Sequence, residues 1–571
     1  MKQKENKESL KAIPIGGHGE VGKNCWLLEY GDEIIIVNYG MMLPPQALAG
    51  VDLVLPSTTY LKENEHKIKG LILTSAHDDC SGGVFYLLEK VKIPKVWGSK
   101  LAIEMVKNTL PKTTIFPETE ELKPREEFKV GNNFNIKPIR NTSVLPDTYG
   151  LFIQNPSGNI VYTGPFKIDQ TPLDDNKFDY FSYAETGEMG VDLLISNSTN
   201  IETPGYSQPE NYITKKFDEI IKNSTNRIII IGYANSLYKY QIIFNLASKH
   251  KKKVLLSGDY LINKIETAIK TGYITVDKNL FVHLKDIKAA DENNLIVVAS
   301  GKYGNFLNAL MEIAKEEHKE IKLKPHDTIV ISANPPHGTV RTIAHTIDQL
   351  FVQKVQVIGG RGQGVHVSGH AAQEEAKLML TITTPKAFAP SHGEERQFVL
   401  YELFAETIGI SPNDIHLLKN GDVLELREGI ARIKGKVHAE SIYYNQAKNL
   451  DIDEVTMKER QTLSQEGTIT VALTVDKKKN IIAGPEILAE GCSFAKGKDW
   501  RAFCLGTVEV IKETINQAKK QEEENKEEIQ LKSLIRDTVN KNVLEFIGKR
   551  PLINISIQEI KKSGSLDLQT S

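Results

Sequence analysis

Residues 69–91 read KGLILTSAHDDCSGGVFYLLEKV. The apolar run 69–74 predicts a strand, 75–83 a polar loop and 84–91 a helix. Strand, loop and helix in that order set polar side chains at the carboxyl edge of a sheet, where α/β proteins carry their sites. His77, Asp78, Asp79 and Cys80 crowd this loop, and all four are metal-ligating or acid–base residue types. Taken alone, the loop also reads as an Asp-rich turn capping a helix.

The same pattern extends outward. The β-branched run Glu33–Val37 ends at Asn38-Tyr39-Gly40, and 159–163 and 191–196 again lead a strand into a polar loop. Residues 1–205 therefore predict the first part of one α/β domain. From 206 to 370 the text alternates regularly between strand and helix. Strands are expected at 227–232, 253–257, 294–299 and 328–332, and helices at 237–250, 305–315 and 340–352. Such βαβ units predict a partly parallel sheet. Residues 371–430 return to helix–strand–helix text, and the Gly- and Lys-bearing stretch 431–462 reads as a linker. The remainder, 463–571, predicts a small α+β unit: a strand at 468–475, a long charged helix over 507–547 and an alternating strand at 551–560. The run KKQEEENKEE (519–528) reads as a solvated helix face.

The 571 residues amount to about three or four domains. A chain 40% hydrophobic and 25% charged is neither mainly disordered nor fibrous. With Lys+Arg 71 against Asp+Glu 73, bulk charge cannot coat a nucleic acid, although a local basic groove remains compatible. Cys25, Cys80, Cys492 and Cys504 form no zinc-ribbon spacing and fit a reducing compartment. The charged opening MKQKENKESL lacks an apolar signal core, and no apolar run approaches the ~18 residues of a membrane span. The expectation is a cytoplasmic protein without a membrane segment.

Several ten-residue blocks make the reading specific. They are IGGHGEVGKN (15–24), VDLVLPSTTYL (51–61), TGPFKIDQTP (163–172), SNSTNIETPG (196–205), IKLKPHDTIVISANP (321–335), GVHVSGHAAQEEAKLML (364–380), PSHGEERQ (390–397) and NGDVLEL (420–426). In this order they resemble the ribonuclease J family over nearly the whole chain. The resemblance implies a metallo-β-lactamase αββα sandwich with an inserted β-CASP α/β domain and a small C-terminal α+β domain. It also implies work in RNA processing, mRNA decay and rRNA maturation, by 5′-to-3′ exonuclease and some endonuclease action. The chemistry implied is hydrolysis by two zinc or manganese ions about 3.5–4 Å apart.

Position by position, the ligands implied by the family are mostly replaced. Its His-x-His-x-Asp-His motif stands here as Ser75, His77, Asp79 and Cys80; its next histidine falls on Ser143; its bridging aspartate falls on Pro165; its last histidine survives as His392. Asn38 and Asn197 stand where the family carries aspartates, and Tyr238 stands where it carries a histidine. The residual metal candidates are His77, Asp79, Cys80 and His392, with Asp79 and His392 as residual catalytic candidates. The expected arrangement is a metal-free pocket in which His77, Asp79 and His392 bond to one another. An Asp79–Cys80–His392 site for one metal is the alternative, since a thiolate is a good zinc ligand.

The loop that the family uses to hold an RNA phosphate is retained as His366, Val367, Ser368, Gly369 and His370 at a helix start, a setting that favours an anion. Lys302, Tyr303, Tyr238, Lys239, Tyr240 and Arg361 are candidates for a basic, aromatic track for single-stranded RNA, although tyrosines beside lysines are also common surface features. Three readings follow. The first is a degenerate ribonuclease J-like protein that binds single-stranded RNA or an active nuclease partner, as a homo-oligomer or with a ribonuclease J paralogue. The second is a slow single-metal exo- or endoribonuclease. The third is an assembly scaffold without RNA affinity.

Overall fold

The computed structural model describes residues 8–44, 48, 50–110, 114–283, 286, 292–335, 338–360, 362–525 and 530–560. They fall into two compact units, 1–43 with 52–442, and 44–51 with 443–571.

The first unit is built on two facing sheets. One orders its eight strands Ile430–Lys436, Asp422–Arg427, Leu10–Gly16, Cys25–Tyr30, Glu33–Val37, Ile68–Leu73, Lys95–Gly98 and Glu118–Glu121. The other orders six: Ala387–Ser391, Leu193–Asn197, Gly158–Tyr162, Thr148–Asn155, Phe134–Asn141 and Phe128–Val130. Alternation along each strand divides the side chains between two faces. Trp26, Leu28, Ile35 and Ile72 meet Ile136, Leu151, Ile160 and Ile195 between the sheets. Leu27, Ile36, Leu71 and Leu73 turn outward onto Leu87 and Leu101, from the helices Val84–Lys90 and Lys100–Thr109. On the far side, Phe152, Val161 and Leu194 pack on Tyr183, Met379 and Tyr401, from the helices Tyr180–Met189, Gln373–Thr383 and Glu395–Thr407. This is the expected αββα sandwich.

Between its two segments lies a five-stranded, all-parallel sheet in the order Lys253–Ser257, Leu295–Ala299, Ile228–Gly232, Thr328–Ser332 and Gln356–Gly359. The unbroken isoleucine run Ile228–Ile231 suits its central strand, which is covered on both faces and has no solvent side to alternate with. The carboxyl ends of Ile228–Gly232 and Thr328–Ser332 lie beside the 364–371 loop, where Ser332 Oγ donates to the Val365 carbonyl at 2.6 Å.

Two expectations are corrected. The stretch 431–462, read as a linker, is structured. Ile430–Lys436 closes the edge of the large sheet, Ile442–Asn445 pairs antiparallel with Leu450–Ile452, and Glu454–Glu466 is a helix capped by Asp453. The single helix expected over 507–547 is two helices, Gly497–Asn525 and Leu531–Ile547. Ile511, Ile515 and Ala518 on the first and Ile535, Val539 and Val543 on the second enter one core against the sheet Ile481–Glu490, Thr468–Asp476, Leu552–Ile560. The run 519–528 offers no apolar residue to continue that stripe. No described helix is long and apolar enough to cross a membrane.

Candidate functional site

The loop after Ile68–Leu73 runs through Thr74 to His77, the N-cap of the short helix Asp78–Ser81. Gly40 lies under this turn; a Cβ there would meet the Asp79 carbonyl oxygen at 1.7 Å, so only glycine permits the approach. His77 Nδ1 and Asp79 Oδ1 are 2.6 Å apart. Burial alone would pull the His77 imidazole down, but the Asp79 carboxylate outweighs it and leaves His77 raised. Burial likewise opposes ionisation of Asp79, and the facing imidazole outweighs it and holds the carboxyl well below its usual range. The two form an ion pair whenever the imidazole is protonated, a state that the carboxylate favours.

The neighbouring Cys80 is fully buried, and burial together with Asp79 pushes its thiol well up. A thiol kept protonated is a poor metal ligand. Asn24, also fully buried, has no conventional hydrogen-bond partner for its amide nitrogen or oxygen among the described residues and lies against that thiol.

His392 is engaged elsewhere. Its Nε2 shares a 2.8 Å hydrogen bond with Tyr162 Oη, and its Nδ1 is 3.3 Å from Asn197 Nδ2. Asn38 completes the network. Its Nδ2 donates to Thr74 Oγ1 at 2.9 Å and to Tyr162 Oη at 3.0 Å, while its Oδ1 accepts from the Thr74 N–H at 2.9 Å. The three-way bonding expected among His77, Asp79 and His392 is thus corrected: the first two pair, and the third turns to Tyr162 and Asn197.

Tyr162 escaped the sequence reading. A tyrosine ending a strand is an ordinary residue, and its only signal is the inward position it takes by alternation in Gly158–Tyr162.

The other ligand positions are bonded within the protein. The His77 N–H donates to Ser75 Oγ at 3.2 Å, and Ser143 Oγ donates to the Gly369 carbonyl at 2.9 Å. Pro165 offers only its carbonyl, which accepts from Asn141 at 3.3 Å. Among the described residues, no group of three or more His, Cys, Asp or Glu side chains is arranged to hold a metal ion. Of the three candidates for a single metal, Asp79 is paired with His77, Cys80 is a buried thiol and His392 bonds Tyr162. The donor set does not fit the family's two ions.

The 364–371 loop is held from beneath. The Ser368 carbonyl accepts from Lys167 at 3.2 Å, the Gly369 carbonyl from Ser143, and the His370 carbonyl from Asn200 at 3.1 Å and Ser207 at 2.7 Å. A Cβ on Gly369 would meet Val144 at 2.7 Å, which explains the glycine. Lys167 is buried and pairs with the equally buried Glu210 at 2.5 Å. Lys239, also buried, donates to the Ser332 carbonyl at 2.6 Å and lies 3.4 Å from His366 Nδ1; burial brings its ammonium down to about 8. Burial, with both lysines, pushes His366 well down. His370 is lowered to about 4 by burial, and its Nδ1 is 3.2 Å from Asn197 Oδ1. Lys167 and Lys239 lie near the buried carboxylates of Glu210, Asp169 and Glu375, and Glu375, at the helix start, accepts from the Ala372 and Ser207 N–H groups. Of the five residues expected to bind substrate, His366, Ser368 and His370 are half-buried, whereas Val367 belongs to the core.

The expected aromatic track is corrected. Tyr240 is fully buried with its hydroxyl on the Tyr233 carbonyl, Tyr238 is buried and bonded to Asp174, and Lys239 is buried. Tyr303 is half-buried, and Lys302 pairs with Asp52 at 2.5 Å. Arg361 lies outside the described residues.

The two sheets, the flanking helices and the parallel insertion define a metallo-β-lactamase sandwich carrying a β-CASP domain. Family models described as "Ribonuclease J, beta-CASP domain" and "Ribonuclease J C-terminal domain" match residues 225–350 and 455–560. Ribonuclease J of Synechocystis sp. is 39% identical over 486 residues, 85% of this chain and 76% of that protein. Ribonuclease J2 of Bacillus subtilis is 32% identical over 560 residues, 98% of this chain and 100% of that protein. A solved protein of unknown function from Enterococcus faecalis shares the fold at a TM-score of 0.50 and 13% identity, over 73% of this chain and 100% of that one. The chain belongs to the ribonuclease J family.

Two predictions follow from these charges. The buried His18 and His392 and the half-buried His370 are lowered from 6.5 by desolvation, to about 3, 4 and 4 respectively. Between those values the unfolded chain binds protons that the folded chain refuses, so stability is present above 6.5 and lost as pH falls toward 4. His366, His318 and His416 are lowered as well, and His77, raised by Asp79, opposes them as a single group. The urea midpoint is expected to be lower at about pH 5 than at about pH 7.5, and the reverse order would contradict neutral burial. Separately, Glu210→Ala strands the Lys167 ammonium and is expected to cost ~3–5 kcal/mol, whereas replacing both partners by Met and Leu costs less; urea unfolding of the two variants compares them.

Proposed function

We propose that this ribonuclease J-family chain serves RNA processing by holding single-stranded RNA through a phosphate on the 366–370 loop, and that it does not cleave by the two-metal route. The observation that carries this reading is the bond between Tyr162 Oη and His392 Nε2, continued through Asn38 to Thr74. A centre organised for hydrolysis needs imidazole and carboxylate donors free to face ions and water. Here the surviving imidazoles and the carboxylate are bonded to protein, while the phosphate loop keeps its hydroxyl, its histidines and the buried lysines beneath it. Binding and cleavage are thereby uncoupled. Pairing with an active ribonuclease J subunit is the natural way for such a chain to act on RNA, and the same binding loop serves that role.

Metal analysis of the purified protein is expected to find well below one equivalent of tightly held zinc or manganese, with no metal-dependent cleavage of single-stranded RNA. Ser75→His, Cys80→His, Ser143→His and Pro165→Asp together are expected to raise metal content; tight metal in the unaltered protein would overturn the proposal.

A second measurement addresses binding. Unaltered protein is expected to bind a 5′-phosphorylated oligoadenylate, and the paired change His366→Ala, Ser368→Ala to weaken it at least about tenfold, the loss of one or two charge-assisted hydrogen bonds. Absence of binding by the unaltered protein would move the reading to an assembly scaffold.

A further inference from the structure

The three loops that carry replaced ligand positions share a second feature. Each carries an aspartate, three residues after Ser75, four after Ser143 and nine after Pro165, and each aspartate accepts from a tyrosine of the β-CASP domain. In the first loop, which holds Ser75 and Cys80, Asp78 Oδ1 accepts from Tyr260 Oη at 2.6 Å and from Lys264 Nζ at 2.7 Å. In the second, after Ser143, Asp147 Oδ2 accepts from Tyr273 Oη while its Oδ1 accepts from Tyr149 at 2.7 Å. In the third, after Pro165, Asp174 Oδ2 accepts from Tyr238 Oη at 2.7 Å.

We propose that these three tyrosine–aspartate bonds form a three-point latch, by which the β-CASP domain fixes the ligand-position loops in the place of a shared pair of metal ions. A metal centre cross-links loops because one ion binds residues from several of them. Once the ligands are gone, nothing in a serine, a cysteine or a proline can span from loop to loop by way of an ion. The latch supplies the missing restraint from outside. Tyr238 and Tyr260 lie on the helices Leu237–Lys249 and Asp259–Thr271, and Tyr273 directly follows the second. Both helices are anchored through Leu237, Ile243, Leu261 and Ile265 in the hydrophobic cluster that also holds Leu87 and Leu101 of the sandwich. A neutral hydroxyl bonded to a carboxylate is a strong, directional hydrogen bond that needs no ion. Asp147 is set for the task by a left-handed backbone, φ 59°, which aspartate tolerates better than most residues. The second loop also carries Ser143, whose hydroxyl holds the Gly369 carbonyl, so the latch reaches the phosphate loop through one further bond.

Hydrogen exchange followed by mass spectrometry tests this without reference to RNA, so its outcome is independent of the phosphate reading. In Tyr238→Phe, Tyr260→Phe, Tyr273→Phe the rings remain and only the hydroxyls are lost. Exchange in residues 74–83, 142–149 and 165–177 is expected to rise roughly tenfold or more, while the strand Ile228–Gly232 stays protected. In the unaltered protein, EDTA is expected to leave exchange in all three loops unchanged. Should the triple variant fold poorly, Tyr273→Phe alone is expected to raise exchange in 142–149 and leave 74–83 as it was. Unchanged loop exchange in the folded variants, or loops released by EDTA alone, would overturn the latch.

Discussion

The hydroxyl of Tyr162 stands between Asn38 and His392 in the space between the sheets and the ligand loops, and the constraint it satisfies is general: a buried polar group needs a partner. In a metal centre the partners of buried carboxylates and imidazoles are cations. Without cations, each such group must be removed, neutralised or paired. This chain uses all three. Against the family pattern that the sequence resembles, Pro165 removes a carboxylate, Asn38 and Asn197 replace two more by amides, and the remaining Asp79 is paired with His77. The amides also do what carboxylates cannot, because each donates: Asn38 to Tyr162, and Asn197 toward His392. The departures from the family pattern are therefore one electrostatically consistent set.

The phosphate loop has a separate foundation. Its carbonyls rest on Lys167, Ser143, Asn200 and Ser207. None of these contacts passes through a metal. The loop's support therefore needs no ion, which is the physical basis for the proposed separation of RNA binding from RNA cleavage.

Much of this was legible in the sequence, and the exceptions have physical causes. The strand–loop–helix of 69–91 and the isoleucine runs of the insertion are strong local signals, and the structure follows them to within a residue or two. Quoted motifs located His77, Asp79, His392 and the 366–370 loop. Tyr162 was invisible because its role depends on a residue 230 positions away, His392. Tyr238, Lys239 and Tyr240 read as a surface track because tyrosine and lysine are amphipathic, but Leu237–Lys249 is buried on several sides and needs their long stems as packing. The stretch 431–462 read as a linker because its strands are short and charged on their exposed faces, so no alternation marks them.

Ser143 shows why the route back to a metal site is narrow. Its hydroxyl bridges the third ligand position to Gly369 of the phosphate loop, with Gly369 packed too close to Val144 for any side chain. A histidine restored there alone would sever that bridge and bring an imidazole into a pocket with no ion to receive it. An aspartate restored at 38 alone would remove the amide donor from Tyr162 and bury a charge. Either of these single reversals loses an existing bond, so the present network is held by its members jointly. Under the proposed reading, only simultaneous change crosses from one arrangement to the other, because the bonds that hold the present network are shared among its members.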